Sequence, residues 1–354
     1  MKVVTVIGNR PQFVKAAAVS GPLRAEHEEL LVHTGQHYDD ELSAIFIREL
    51  DIPPPEIELG LGGGTNTQQT ARMLGALGEL LLDHDPDAVL VYGDTNSTLA
   101  GALAGAQARI PVAHVEAGMR SFDRAMPEEL NRVVTDHAAD LLLVSSAVSA
   151  ANLAREGVAG EVQVVGDVMV DVHRLLAPRA AADDGPLHDA GVRAGEYLLA
   201  TAHRAGTVDD PRRLAALVEL LLSLELPVVL PLHPRTRARL AAAGLLDRLA
   251  AGTILRPPLG YLAFAALLTR AAAVLTDSGG VQKEAYILGV PCVTLRDETE
   301  WVETVEAGWN RLAGADPGKI VAMAQATPPA ERPSLYGDGH AAERIVALIE
   351  EGTR

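Results

Sequence analysis

Short apolar runs alternate with longer helical patterns along this chain, and this alternation constrains its fold more than any other feature. Five runs rich in β-branched residues lie in the first half: Val3–Ile7, Leu30–His33, Ala88–Tyr92, Val112–Val115 and Leu141–Val144. Between them, apolar residues recur at helical spacing, as in Met73–Leu81. Continuous apolar strands separated by helices are typical of a parallel sheet covered on both faces.

The same pattern restarts in the second half of the chain. Its strand-like runs are Tyr197–Thr201, Val228–Leu232, Thr253–Arg256, Ala273–Thr276 and Pro291–Leu295. Since domains usually have about 100–200 residues, a chain of 354 residues is expected to form two. We therefore predict an α/β protein with two Rossmann-like domains, residues 1–168 and 169–340. The stretch Arg179–Gly195 is predicted to be irregular, and a final helix within 341–354 is expected to pack back on the first domain.

Composition excludes several classes of protein. The net charge is -17 and no basic patch is present, which argues against a nucleic-acid partner. The single cysteine, Cys292, lies in an apolar run and is expected to be a buried thiol, and no Cys/His spacing predicts a zinc site. No apolar run reaches the roughly 18 residues of a membrane span. Without a signal peptide either, the cytoplasm is the expected location.

In parallel α/β sheets, ligands bind beyond the carboxyl ends of the strands, so the residues after each strand are the informative ones. The first such segment is Gly8–Lys15. Its glycine permits a tight turn, and Pro11 suits the first turn of a helix whose free N–H groups attract an anion. Arg10 and Lys15 add positive charge there. The alternative is an ordinary capped helix with solvated basic residues.

A second segment, Thr276–Glu284, also follows a strand and opens a helix. Ser278 is placed to cap that helix, while Gly279 and Gly280 allow a phosphate to approach the backbone. Glu284 lies about a turn and a half inside the helix, where its carboxylate could accept the hydroxyls of a ribose. A Gly-Gly pair alone is a weak signal, because it also occurs in ordinary turns.

Three carboxylates follow strands or open helices in the first half: Asp94, Glu116 and Glu128. One such acid is usually a helix cap or the partner of an arginine, but three near one edge of a sheet favour chemistry. Carboxylates that lie close together raise one another's pKa, which separates acid from base roles. Arg120 and Arg132 are candidates to hold them.

Two histidines follow strands of the second half. His203 precedes Arg204, and His233 precedes Pro234. A histidine at a strand end can bind a diphosphate, although a lone histidine is more often structural. We favour function for His203 and leave His233 open.

Taken together, these motifs resemble those of the non-hydrolysing UDP-N-acetylglucosamine 2-epimerases over nearly the whole chain. The matching stretches are Gly8–Lys15, Gly93–Thr98, His114–Arg120, Pro127–Arg132, His203–Arg204, Thr276–Glu284 and Tyr336–Gly339. The resemblance implies two Rossmann-like domains facing across a cleft, the glycosyltransferase-B architecture. It also implies a homodimer, a UDP-sugar substrate, and no requirement for a metal or nicotinamide cofactor.

The resemblance also implies roles for individual residues. It assigns the UDP phosphates to Arg10, Lys15, His203, Ser278, Gly279 and Gly280. Glu284 corresponds to the ribose ligand and Phe264 to an aromatic near uracil. Asp94, Glu116 and Glu128 correspond to the catalytic acids, with His203 also in the catalytic set. Arg132 and Trp301 complete the predicted substrate-binding residues.

Some positions depart from the pattern of many family members. Asn9 and Gln12 replace Thr and Glu around Arg10-Pro11, and Gly206-Thr207 replaces Glu-Asn. Trp301 stands where many members have an arginine near the ligand. These features resemble a branch that includes epimerases of UDP-2,3-diacetamido-glucuronic acid, so the reaction type is better defined than the sugar.

Three rival functions remain open at this stage. A glycosyltransferase of the same architecture needs a similar nucleotide-sugar site, and a hydrolysing epimerase would release free UDP. A non-catalytic nucleotide-sugar sensor is disfavoured, because it would not need the three carboxylates.

Overall fold

The structure, a computed structural model, describes residues 1–36, 52–314 and 317–352. Contacts divide the chain into two units. The first contains Met1–Leu176 and Ser334–Arg354, and the second contains Ala177–Pro333. The sequence placed this boundary at 168/169.

The first unit is built on a parallel seven-stranded sheet with the order β3-β2-β1-β4-β5-β6-β7. Its strands are β1 Lys2–Ile7, β2 Glu28–His33, β3 Ile57–Glu58, β4 Ala88–Tyr92, β5 Val112–Ala117, β6 Leu141–Val144 and β7 Glu161–Val164. Its helices begin with α1 Arg10–Glu26, α2 Asn66–His84, α3 Asn96–Ala108, α4 Pro127–Ala138, α5 Ala147–Glu156 and α6 Val168–Ala182.

The second unit contains a parallel six-stranded sheet with the order β10-β9-β8-β11-β12-β13. Its strands are β8 Leu198–Thr201, β9 Val228–Pro231, β10 Ile254–Arg256, β11 Ala273–Thr276, β12 Cys292–Thr294 and β13 Asn310–Leu312. Its helices are α7 Gly185–Ala190, α8 Ala205–Val208, α9 Pro211–Ser223, α10 Pro234–Ala242, α11 Leu246–Gly252, α12 Tyr261–Arg270, α13 Gly279–Leu288, α14 Val302–Glu306 and α15 Pro317–Gln325. The last helix of the chain, α16 Ala341–Gly352, belongs to the first unit.

The predicted fold class, two α/β domains with parallel sheets, is confirmed. All ten predicted strands are present, whereas β3, β7 and β13 were not predicted. The prediction that Arg179–Gly195 is irregular was wrong. This stretch contains the end of α6 and all of α7. Pro186 is compatible with a helix here because it lies in the first turn of α7, where its missing N–H breaks no helical hydrogen bond.

Packing in the first unit explains why its strands are apolar on both sides. Val4, Val6 and Val91 face one helical layer, where they join Met73 and Leu77 of α2 in a single core cluster. The opposite face of the sheet is covered too, so strand residues that point the other way, such as Val3 and Leu90, are also buried. The C-terminal helix α16 packs against α1 and buries Ile345, Val346 and Ile349. Among the described residues, no helix has both the length and the apolar character needed to cross a membrane.

Two helical glycines of the first unit should respond oppositely to alanine. A Cβ at Gly105 of α3 would lie 2.7 Å from a methyl group of Val112 and 3.2 Å from one of Val89, whereas a Cβ at Gly75 of α2 meets nothing. We expect Gly105→Ala to lower the free energy of unfolding by about 1–3 kcal/mol through overpacking. Gly75→Ala should raise it by up to about 1 kcal/mol through helix propensity. Urea unfolding measures both, and equal effects would contradict the close packing of α3 on the sheet.

Candidate active site

Strand order alone selects one position in each sheet for a ligand. In the first sheet the order reverses between β1 and β4, and in the second it reverses between β8 and β11. Ligands of open α/β sheets bind at the carboxyl ends of the strands beside such a reversal. The predicted segments Gly8–Lys15 and Asp94 follow β1 and β4, while His203 and Ser278 follow β8 and β11.

The turn after β1 depends on a glycine and a buried amide. A Cβ at Gly8 would lie 2.0 Å from Ser97 Oγ, so only glycine fits there. Gln12 accepts a hydrogen bond from Gly8 N at 2.8 Å and donates from Nε2 to the Tyr92 carbonyl oxygen at 2.8 Å. It thereby joins the ends of β1 and β4. The side chain of Arg10 lies outside the described part of the chain, so its predicted phosphate contact stays a prediction.

Lys15 and Glu116 form a buried ion pair beneath this turn. Glu116 is the irregular residue where the β5–β6 register shifts, and its φ of +71° is in the left-handed region. Bulges of this kind re-aim a side chain, and non-glycine residues in this conformation cluster at functional sites. Gly93 lies directly alongside, since a Cβ there would be 3.2 Å from Lys15 Nζ and 3.5 Å from Glu116 Oε2.

Asp94 follows Gly93 and is held by Arg132. Arg132 Nη2 donates to Asp94 Oδ2 at 2.7 Å, while its Nη1 donates to Glu129 at 2.8 Å. Asn131 also donates to the Asp94 carbonyl oxygen at 3.0 Å. The structure therefore places Asp94, Lys15 and Glu116 around Gly93, and it adds Glu129, which the sequence analysis did not select.

Glu128 differs from the other two acids. It is exposed in the first turn of α4, one residue before the buried Glu129. Its predicted catalytic role therefore rests on its motif and on its position in this helix.

Arg120 does not hold a predicted catalytic acid. It pairs instead with Asp136 at 2.7 Å and with Glu156 at 2.7 Å. His114 lies 2.7 Å from Asp136 Oδ1 through Nδ1 and 2.7 Å from the Gly93 carbonyl oxygen through Nε2. Burial alone would raise the pKa of Asp136, but His114 and Arg120 outweigh it and hold this pKa below its ordinary value. Through His114, this network of Asp136 and Arg120 contacts the backbone of Gly93, the residue directly before Asp94.

In the second unit, Asp277 joins the two segments that follow β8 and β11. Its fully buried carboxylate accepts hydrogen bonds from His203 N at 3.0 Å and Arg204 N at 2.9 Å. The side chain of His203 remains 40% exposed, with Nδ1 3.6 Å from Asp277. The ring of His233 stacks on it at 5.5 Å. Asp277 thus orients the His203 loop next to Ser278, a role that the sequence analysis did not assign.

Helix α13 begins with the predicted Gly279 and Gly280, and Ser278 occupies its N-cap position without a side-chain cap. The prediction that the Ser278 side chain caps this helix was wrong; its backbone N donates to Thr276 Oγ1 at 2.9 Å. Glu284 is half-buried in the same helix. Phe264 lies in α12, partly buried against the core.

Trp301 is 5% exposed and lies behind the start of α13. A Cβ at Gly279 would be 3.5 Å from Trp301 Nε1, and Lys283 Nζ lies 4.6 Å from the centre of the indole ring. Glu300, the residue before Trp301, forms an ion pair with Arg296 at 3.0 Å. Burial alone would raise the pKa of Glu300, but the hydrogen bonds from Arg296 keep it below its ordinary value.

Two other features bear on cofactors and reactivity. Cys292 is buried, as expected from the sequence, and burial raises the pKa of its thiol to about 12. Among the described residues, one group could gather around a metal ion: Glu26, His27 and Glu350, whose ligand atoms lie within 4.8 Å of one another. Glu26 and His27 lie where α1 ends and β2 begins, and Glu350 belongs to α16, whereas the predicted acids follow the carboxyl ends of the strands.

Known proteins match this chain over almost its full length. The sequence model of the family described as UDP-N-acetylglucosamine 2-epimerase matches residues 23–350. The chain belongs to this family. A Methanococcus maripaludis UDP-N-acetylglucosamine 2-epimerase homolog is 45% identical, and a Pseudomonas aeruginosa UDP-2,3-diacetamido-2,3-dideoxy-D-glucuronate 2-epimerase is 47% identical, each over 99% of both chains.

A solved structure agrees with this assignment. The crystal structure of the Methanocaldococcus jannaschii UDP-GlcNAc 2-epimerase in complex with UDP-GlcNAc and UDP superposes with a TM-score of 0.91 at 39% identity. The match covers 99% of this chain and 100% of that one. At Gln12, where the resemblance led us to expect a glutamate in many members, the amide donates to the Tyr92 carbonyl oxygen, which an ionised glutamate could not do.

The three predicted acids can be tested individually. We expect Asp94→Asn, Glu116→Gln and Glu128→Gln each to lower kcat by at least about 100-fold, the low end for a general acid–base group. Nucleotide binding, measured by calorimetry with UDP, should largely survive. Glu79→Gln, at an exposed position of α2, is the control and should behave as wild type. Near-normal turnover in all three variants would contradict the assignment.

Proposed function

We propose that this epimerase inverts C2 of a UDP-2-acetamido sugar and converts UDP-N-acetylglucosamine into UDP-N-acetylmannosamine by eliminating and re-adding UDP. The observation that carries the proposal is the buried Lys15–Glu116 pair, held at a left-handed bulge beside Gly93 and Asp94. A nucleotide-sugar binding protein would not need a buried carboxylate on a left-handed backbone at this position. The family and its UDP-GlcNAc-bound member support the same reaction.

The chemistry starts from an unreactive C–H bond. The C2 proton has no neighbouring carbonyl to acidify it, so direct abstraction would be very slow. If the C1–O bond to UDP breaks first, positive charge develops on the sugar ring and makes the C2 proton acidic. Loss of that proton leaves a glycal and UDP. Adding a proton to the other face of C2, with return of UDP to C1, gives the epimer with all atoms balanced.

The first unit supplies the acids for these steps. Glu116 and Asp94 each pair with a cation, Lys15 and Arg132, and we propose that these two carboxylates stabilise the cationic ring. Glu128 is exposed and so is accessible to exchange a proton with C2. Lys15 lies near the start of α1, where we propose that it also offsets charge on the diphosphate.

The second unit supplies groups for the leaving UDP. The ten-residue helix α13 presents its N-terminal N–H groups at Gly279 and Gly280, where we place a phosphate. His203, fixed by Asp277 and partly exposed, is placed to donate to the same diphosphate. We assign the ribose to Glu284 and the uracil to Phe264, as the family resemblance implies. A homodimer, which the same resemblance implies, and a cytoplasmic location, which the sequence analysis expects, are also part of this proposal.

Incubation with the donor alone separates the proposed reaction from its rivals. Purified enzyme with UDP-N-acetylglucosamine and no acceptor should yield UDP-N-acetylmannosamine, with free UDP remaining a minor product. Ion-exchange chromatography and phosphorus NMR measure both. Stoichiometric UDP release would indicate a hydrolysing epimerase, and no change without an acceptor would favour a glycosyltransferase.

A second substrate is favoured by one feature of the second unit. The Pseudomonas aeruginosa relative, 47% identical, is named for a UDP-2,3-diacetamido-glucuronate, and Trp301 departs from the common arginine. Because Trp301 is buried beside Gly279, it acts on the sugar through the shape of the α13 start. We therefore propose that sugars modified at C3 or C6 are also accepted.

The comparison that tests this is kcat/KM for UDP-N-acetylglucosamine against its 3-acetamido and uronic acid analogues. We expect the modified sugars to be turned over, and Trp301→Arg to shift the ratio toward the unmodified sugar, because it adds a fork of donors and removes a large apolar ring. Strict preference for the unmodified sugar, unaltered in Trp301→Arg, would show that this position does not affect specificity.

A further inference from the structure

We propose that Glu129 is a positioning residue that holds Asp94 through Arg132 and fixes the loop leading into Glu128. The inference rests on the proposed function, since it assigns Asp94 and Glu128 to the reaction. Glu129 lies within the matching stretch Pro127–Arg132, but neither the resemblance nor the chemistry above assigns it a role.

Glu129 is 2% exposed, and both of its carboxylate oxygens are used. Oε2 accepts from Ser121 N and Ser121 Oγ, each at 2.9 Å, and from Arg132 Nη1 at 2.8 Å. Oε1 accepts from Phe122 N at 2.9 Å. A buried carboxylate requires such partners, and here all four belong to the segment around the predicted acids.

Arg132 transmits this constraint to Asp94. Its side chain is almost fully buried, and its Nε has no hydrogen-bond partner within the described chain. Two contacts therefore orient the guanidinium: Nη1 to Glu129 and Nη2 to Asp94 at 2.7 Å. Because the guanidinium is planar and rigid, fixing one side fixes the direction of the other. Without Glu129, the buried cation would keep Asp94 as its one carboxylate partner and would reorient around it.

The loop before α4 depends on the same carboxylate. Phe122 has a φ of +60°, which is rare for a residue with a bulky side chain. Its N–H donates to Glu129, and the ring itself is 68% exposed, so packing of the ring does not hold this conformation. Helix α4 has no side-chain cap at Met126. Glu129 instead binds the loop N–H groups of Ser121 and Phe122 and so ties this loop to the first turn of α4, which contains Glu128.

Substitution by glutamine separates positioning from packing. Glu129→Gln keeps the size of the side chain but replaces one acceptor oxygen by an NH₂ group that faces donors. The carboxylate of Asp94 would then be displaced although the residue itself is unchanged. Since a displacement of about 1 Å at a reacting group can cost about 100-fold in rate, we expect kcat to fall about 10- to 100-fold. KM should change less than about threefold, because the nucleotide contacts are untouched.

The matched control is Glu29, another buried glutamate of the first unit. It accepts from Thr5 Oγ1 at 2.7 Å, Ser20 Oγ at 3.1 Å and Arg24 Nε at 2.7 Å. It lies at the start of β2, at the opposite edge of the sheet from the acids. Glu29→Gln should lower the melting temperature to a similar extent as Glu129→Gln and leave kcat unchanged. A loss of kcat in Glu29→Gln equal to that in Glu129→Gln would mean that destabilisation alone explains the effect, and would overturn the proposal.

Coupling to Arg132 is the decisive readout. In donor-alone kinetics with UDP-N-acetylglucosamine, we compare wild type, Glu129→Gln, Arg132→Gln and the double variant. If Glu129 acts through Arg132, its substitution should cost less than about threefold in the Arg132→Gln background, because contacting residues are non-additive. Multiplicative losses, or a normal kcat in Glu129→Gln, would overturn the proposal. If Glu129→Gln does not fold, Glu129→Asp and Glu29→Asp replace the two glutamine variants. Aspartate keeps the charge but shortens the side chain, and we again expect kcat to fall only in the Glu129 variant. An inactive wild type would instead contradict the proposed function, and this inference with it.

Discussion

The left-handed backbone of Glu116, at the bulge where β5 ends, is the constraint on which the first half of the site depends. A non-glycine residue in this region costs about 1–3 kcal/mol and persists only where its surroundings fix it. Here Lys15 pairs with the Glu116 carboxylate, and Gly93 leaves room for that pair. The neighbouring Gly118 donates from its backbone to Asp136 at 3.1 Å.

A buried network connects this bulge with the loop that carries Asp94. Asp136 binds Gly118 N through one oxygen and His114 through the other, and His114 contacts the Gly93 carbonyl oxygen. Arg120 compensates the charge of Asp136 from the side. The ends of β4 and β5 are thus fixed by one set of hydrogen bonds. In the second unit a buried carboxylate also connects two strand ends, since Asp277 binds the loop after β8 from its position after β11.

The sequence predicted the elements whose signals are local. Apolar runs identified ten strands, and the motifs that follow β1, β4, β8 and β11 lie at the order reversals of the two sheets. The short edge strands β3 and β13 were not predicted, because two or three residues are too few to show a periodic pattern. Helix α7 was missed because Pro186 and the nearby glycines indicate turns as readily as helix ends.

Within the site, contacts between distant residues could not be predicted. Glu129 looks like an ordinary acid in the first turn of a helix, where the macrodipole favours negative charge in any protein. Only the folded structure shows its carboxylate buried against Ser121 and Arg132. The sequence named both Arg120 and Arg132 as candidates to hold the acids, and only the structure shows that Arg132 alone does so, by binding Asp94. The local sequence also gave no sign that Trp301 is buried behind Gly279.

The central claim is that C2 is inverted through loss and return of its proton, with UDP leaving and returning. The most direct test is proton NMR of UDP-N-acetylglucosamine incubated with the enzyme in deuterated water and no acceptor. The account predicts that both epimers gain deuterium at C2, and at no other carbon, as equilibrium is approached. Inversion without deuterium at C2, or incorporation without inversion, would contradict it.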